Sequence, residues 1–227
     1  MVVAALLLIL FLGTVHITKF TLLFFAALIP SIILHEVTHG WVALAFGDDT
    51  AKRAGRLTLN PLKHIDPLGT IVVPAVLILT TGWAFGWAKP VPVNISRLRN
   101  PRNDNVIVAL AGPITNIALA LAAGLAYGFF VPFATKNIPV PSQPTGPQFL
   151  FLIGYVNVIL AVFNLIPIPP LDGSAVLERL MPRSWIPAYL RIRPYTIFIV
   201  LGFVLLSRDG LQSVFDPFLN LWSRLLV

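Results

Sequence analysis

Long apolar blocks, separated by short clusters of charge and proline, constrain this chain more than any other feature. The block at residues 20–46 is the clearest, and others run over 68–88, 105–133 and 149–171. About twenty apolar residues in a helix cross a hydrocarbon layer of about 30 Å. Only 11% of the 227 residues are charged and 57% are hydrophobic, with mean hydropathy +0.85, whereas a soluble domain carries about 25% charge. A soluble fold is therefore excluded, and the chain reads as an all-α polytopic membrane protein. Helices satisfy every backbone group inside lipid, which open sheets and loops do not. The length leaves no room for a large soluble domain, so residues 1–227 are expected to form a single membrane-embedded domain.

About five transmembrane helices are expected, over 1–18, 20–46, 105–133, 149–171 and an apolar run ending at Ser207. Residues 1–18 carry no Lys or Arg and lack the pattern of a cleaved signal, so they read as a short first span. The 68–88 block is interrupted by Pro74, Gly82 and Gly86 and flanked by Trp83 and Trp87. It reads as a re-entrant segment, tolerable where protein or a water-filled cavity covers its backbone. The alternation Leu57-Thr58-Leu59 predicts a short β element over 55–60. Val176, Leu177, Leu180 and Met181, and again the tail from Leu211 to Leu226, recur at helical spacing and predict interfacial amphipathic helices. Glu178 is expected to pair with Arg179 or Arg183. Gly124 and Gly128 predict close helix packing.

The net charge of +7 fits loops beside anionic headgroups better than nucleic acid, so no nucleic-acid partner is expected and the lipid bilayer is. With 68–88 returning to its own side, twelve of the 16 Lys and Arg gather at one end. That bias predicts a cytosolic end containing 48–67, 89–104 and 172–193, a cytosolic N-terminus, and residues 134–147 on the far side. A multi-pass location in the cell membrane follows.

Inside the 20–46 block stands one polar knot, His35-Glu36-Val37-Thr38-His39. A helix brings i and i+4 to one face, so both imidazoles can meet one ion while Glu36 reaches a water beside it. There is no cysteine, so a transition metal must be held by His, Asp or Glu, and the histidines are His16, His35, His39 and His64. Ionisable groups cost about 2.5–3.5 kcal/mol each inside a bilayer, which makes a chance cluster of three a poor explanation. Zinc, one per chain, suits two imidazoles and a carboxylate with an open position. Asp172 is the carboxylate at the end of a separate span, where prolines can turn it inward. Asp66 and Asp104 compete from charged loops. His64 reads as a loop residue and His16 as an interfacial one.

With those residues in view, the chain resembles the site-2 protease family of intramembrane zinc metalloproteases, in its short form without PDZ or CBS modules. The resemblance rests on His35-Glu36-x-x-His39, Gly112-x-x-x-Asn116, and Asn164 followed by Asp172-Gly173, in that order, and covers most of the chain. It implies that His35, His39 and Asp172 hold zinc and that Glu36 is the catalytic acid/base. Asn116 and Asn164 would position the substrate or stabilise the oxyanion. It also implies transmembrane proteins as substrates, cut by a zinc-activated water. The rival is a zinc-binding membrane protein without proteolysis, a carrier or a substrate binder. Glu36 argues against a carrier, as does the shortage of further histidines along a path. Oligomeric state is not legible.

Overall fold

The computed structural model describes residues 18–73, 76, 87–182, 184–196, 198, 200, 202 and 207–227. Three of its helices are long and apolar enough to cross a membrane: α1 (Lys19–Ala45), α2 (Pro101–Phe130) and α3 (Thr145–Leu165). Residues 1–17, most of 74–86 and most of the run before Ser207 lie outside the described residues, and with them two of the five expected spans and the interior of the re-entrant segment.

Local chemistry sets the helix ends. Thr18 opens α1, its hydroxyl accepting the Thr21 N–H at 3.1 Å. The helix stops at Phe46 and Gly47, whose φ of +104° suits a residue without Cβ. Pro101 occupies the first turn of α2, where its missing N–H costs nothing. The Asp104 carboxylate there accepts the Asn100 N–H at 2.7 Å and complements the helix dipole. Past Leu165, Pro167, Pro169 and Pro170 forbid continuation of α3.

The three spans all touch one another. Ala27 of α1 meets Leu152 and Val156 of α3, whereas Ala43 meets Val108, so α1 and α3 run in parallel with α2 reversed between them. Their outward faces carry Leu22, Phe25, Ile114, Leu125 and Phe129, the last 83% exposed. Apolar exposure on that scale is stable against lipid, not water. The Arg99 N–H donates to the Phe46 carbonyl at 3.0 Å, so α1 ends where α2 begins. Residues 46 and 99 therefore lie at one end of the bundle.

The β element expected over 55–60 is not formed, and no strand occurs among the described residues. Leu57 lies against Gly40 of α1 and the Thr58 carbonyl contacts His64 Nε2 at 2.9 Å, so the segment bends to meet separate partners. Residues 87–94 form no regular element, and their N–H groups go to unrelated acceptors. Trp87 donates to the Gly69 carbonyl and Lys89 to that of His64. Val91 donates to Glu36 and Asn94 to Asp48. Pro90 and Pro92 have no N–H, and no ladder can propagate.

Two short helices, α4 (Gly173–Leu180) and α5 (Ile186–Ile192), follow the third span, and α6 (Arg208–Ser223) forms the tail. Glu178 pairs with Arg193 at 3.5 Å and accepts the Tyr189 hydroxyl at 2.9 Å; of the two arginines expected to pair with it, Arg179 donates to Asn103 Oδ1 instead, and Arg183 lies outside the described residues. The tail is not a surface float. Phe215 and Trp222 are buried against Ala120, Val158 and Val162, and the Trp222 indole donates to the Ala120 carbonyl at 2.7 Å. Glycines make that docking possible: a Cβ on Gly154 would stand 2.0 Å from the indole, and one on Gly128 would stand 2.2 Å from the Leu225 carbonyl. Gly124-x-x-x-Gly128 thus receives the tail instead of another span.

Gly154→Val should expel the indole and destabilise the protein by about 1–3 kcal/mol, the usual cost of overpacking. Thermal unfolding in detergent would show it as a lowered midpoint. Gly146→Ala, where nothing lies within 4 Å, should leave the midpoint unchanged.

Candidate metal centre

His35 and His39 lie one turn apart on α1, both buried, and face α2. Gly112 of α2 lies directly beneath them: a Cβ there would stand 2.5 Å from His39 Nε2 and 2.7 Å from His35 Nε2. The helix backbone itself forms the wall of the site. Asp172 arrives from the loop after α3, which folds back tightly enough that a Cβ on Gly173 would meet the Leu165 carbonyl at 2.2 Å. Its side chain does not cap α4, and its Oδ2 points at the histidines.

Three atoms converge. His35 Nε2 and His39 Nε2 are 3.1 Å apart, and Asp172 Oδ2 lies 3.1 Å from the first and 3.4 Å from the second. A tetrahedral ion with arms of about 2.0–2.1 Å separates its ligands by roughly 3.3–3.4 Å, so these spacings fit one. His39 Nδ1 faces the Val108 carbonyl at 2.7 Å and His35 Nδ1 faces Asn116 Oδ1 at 2.5 Å. Both partners are acceptors, so each Nδ1 carries the proton and each Nε2 presents a lone pair. Asp172 Oδ2 is buried and receives no hydrogen bond. Three lone pairs face one another in an apolar bundle, an arrangement that a cation stabilises. Among the described residues this is the one group of three or more His, Asp or Glu side chains with metal-holding geometry.

Glu36 is partly exposed, and its Oε2 accepts the Val91 N–H at 2.9 Å. The tie holds the carboxylate on the open side of α1. Asn116 is fully enclosed: Oδ1 faces His35, and Nδ2 donates to Asn157 Oδ1 at 2.7 Å. Asn164, partly exposed in the last turn of α3, donates to the Leu160 carbonyl at 2.9 Å. Asp66 and Asp104, the competing carboxylates, serve as helix caps elsewhere. His64 is buried and bonded within its loop, and His16 lies outside the described residues. Sequence reasoning missed Asn157 and Ser31. Their signal was present as polar residues inside apolar spans, which in lipid need partners.

Asp48, just past α1, fixes the loop that carries Val91. Burial works against its ionisation. Hydrogen bonds from the Thr50 hydroxyl, the Asn94 N–H and the Thr50 N–H, together with the Arg97 charge, outweigh that and hold it below the usual carboxylate range.

Residues 142–207 match the model of peptidase family M50. The "Putative zinc metalloprotease YwhC" of Bacillus subtilis is 46% identical over 159 residues, covering 68% of this chain and 67% of its own. The "Putative zinc metalloprotease Rip2" of Mycolicibacterium smegmatis is 34% identical over 159 residues, covering 69% of this chain. This chain spans only 56% of that relative's length. A likewise named protein of Methanocaldococcus jannaschii is 31% identical over 172 residues, covering 74% of this chain and 75% of its own. No solved structure matches significantly. The chain belongs to peptidase family M50, the site-2 protease family.

Gly112→Ala should push both imidazoles aside, and metal analysis of the purified variant should find bound zinc largely lost. Asp48→Asn should lower stability at neutral pH. Because the Asp48 pKa is depressed on folding, its contribution is complete above the unfolded value of about 3.9. It is lost as pH falls through the folded value. Unfolding midpoints of the two proteins should therefore differ at pH 7 and converge in acid.

Proposed function

We propose that this protein is an intramembrane zinc endopeptidase that cuts transmembrane protein substrates. The observation that carries this reading is the convergence of His35 Nε2, His39 Nε2 and Asp172 Oδ2 within 3.4 Å of one another. These three residues would hold one zinc per chain. Zinc bound there supplies a Lewis acid that brings a water's pKa to about 7 and polarises the scissile carbonyl.

Glu36 is the acid/base. It lies one residue from a ligand, on the open side of the helix, where it accepts a proton from the attacking water and returns it to the leaving amine. The Val91 N–H keeps one carboxylate oxygen aimed while the other is left for the water. Asn164 stands at the rim, eight residues before Asp172, where its amide can steady an extended substrate segment or its oxyanion. Asn116 is enclosed and faces His35, which supports a part in orienting that ligand over the substrate contact that the resemblance implies. A substrate helix hides its carbonyls in i to i−4 bonds, so it must unwind before reaching the centre.

The catalytic end is the end where α1 and α3 finish. It carries the basic loops 48–67, 89–104 and 172–193, which supports a cytosolic orientation in the cell membrane. A carrier is disfavoured, since the described residues offer no second metal-holding group along a path.

Glu36→Gln should retain its zinc while cleavage of a single-span substrate by the detergent-solubilised protein falls by about 10²–10⁴-fold. Loss of zinc in this variant, or full activity, would contradict the assignment.

A further inference from the structure

The two histidines obtain their orientation in unequal ways. The partner of His39 Nδ1 is the Val108 backbone carbonyl, an acceptor that cannot become a donor. The partner of His35 Nδ1 is a side-chain amide, which presents NH₂ instead of oxygen when it flips. A flipped Asn116 would take the Nδ1 lone pair and send the proton to Nε2, where it would block a ligand position.

A chain of buried hydrogen bonds prevents that flip. The Ser31 hydroxyl spends its hydrogen on the Ala27 carbonyl at 2.7 Å, so toward α3 it can only accept. Asn157 Nδ2 donates to that hydroxyl at 2.8 Å and to the Ile153 carbonyl at 2.8 Å, using both of its hydrogens. Asn157 Oδ1 is then left as the acceptor for Asn116 Nδ2 at 2.7 Å, and Asn116 Oδ1 is left for His35. Every direction is fixed from Ser31 onward. Asn116 and Asn157 are fully buried and Ser31 is 4% exposed, and the links from Ser31 to Asn157, Asn157 to Asn116 and Asn116 to His35 each cross between spans.

We propose that Asn157 is a positioning residue for His35: anchored by Ser31, it locks the Asn116 amide and so holds the His35 lone pair toward the metal. Its value for metal binding rests on the ligand role assigned to His35 above, whereas its effect on the His35 tautomer does not. Asn116→Asp supplies the discriminating background, because a carboxylate offers an acceptor from either oxygen and makes the lock unnecessary.

The test is a double-mutant cycle read by zinc competition with a chelator and by ¹⁵N NMR of the histidine rings in metal-free protein. Asn157→Leu should weaken zinc by about 10–100-fold, the usual cost of losing an outer partner of a ligating histidine. It should also move His35 from the Nδ1–H tautomer toward Nε2–H, leaving His39 unmoved. In the Asn116→Asp background the same change should have little effect on either reading. An unmoved His35 ring in Asn157→Leu, or an equal loss of zinc affinity in both backgrounds, would overturn the proposal and reduce Asn157 to packing. If Asn157→Leu does not fold, Ser31→Ala replaces it in the cycle, with a smaller shift of the same sign expected and an unmoved ring decisive against. A wild-type protein that binds no zinc, yet shows the tautomer shift, would defeat the metal reading and leave the positioning role standing.

Discussion

Gathering two imidazole lone pairs and a carboxylate oxygen within 3.4 Å inside an apolar bundle is unfavourable unless a cation sits among them, and the surrounding architecture is shaped by that requirement. Separate constraints bring these atoms together. The helical repeat supplies the two nitrogens. A glycine lets the backbone of α2 close the floor, and a glycine after a proline-rich break lets the Asp172 loop fold back. Where the bilayer offers no water, each Nδ1 must find a protein acceptor, and α2 supplies both.

The same economy governs the polar groups farther out. Interhelical hydrogen bonds in membranes average only about 0.6 kcal/mol in double-mutant cycles, so the Ser31, Asn157 and Asn116 chain is a weak glue for three spans. Its worth lies in direction: each donor is assigned, and only one arrangement of the amides satisfies all of them. The loop at 87–94 works by the same rule outside the spans. Its N–H groups, lacking a neighbouring strand, go to a helix-borne carboxylate at Glu36 and a loop carboxylate at Asp48, and they tie the loop to the open side of the centre.

Much of this was legible in the sequence because periodicity and cost are both readable there. The i, i+4 histidines inside a span, and Asp172 beyond the prolines, pointed to the residues that the fold brings together. The expected spans over 20–46, 105–133 and 149–171 match helices, with shifted ends. The tail was misplaced because an apolar stripe looks the same whether it lies on a bilayer or against a bundle, and only Gly124, Gly128 and Gly154 make the second choice possible. Leu57-Thr58-Leu59 looked like a strand because three alternating residues say nothing about whether a partner edge exists. Asn116 was recognised, but a sequence does not say which end of an amide faces which neighbour. That ambiguity also hid Asn157.

Zinc in the His35, His39 and Asp172 centre is the proposed reason for this architecture, and X-ray absorption spectroscopy of the purified protein reads that shell directly. It should give about four nitrogen or oxygen neighbours near 2.0–2.1 Å, with the outer-shell scattering of two imidazoles, lost together with the metal in His39→Ala. A shell of six oxygens without imidazole scattering, or zinc retained unchanged in that variant, would contradict it.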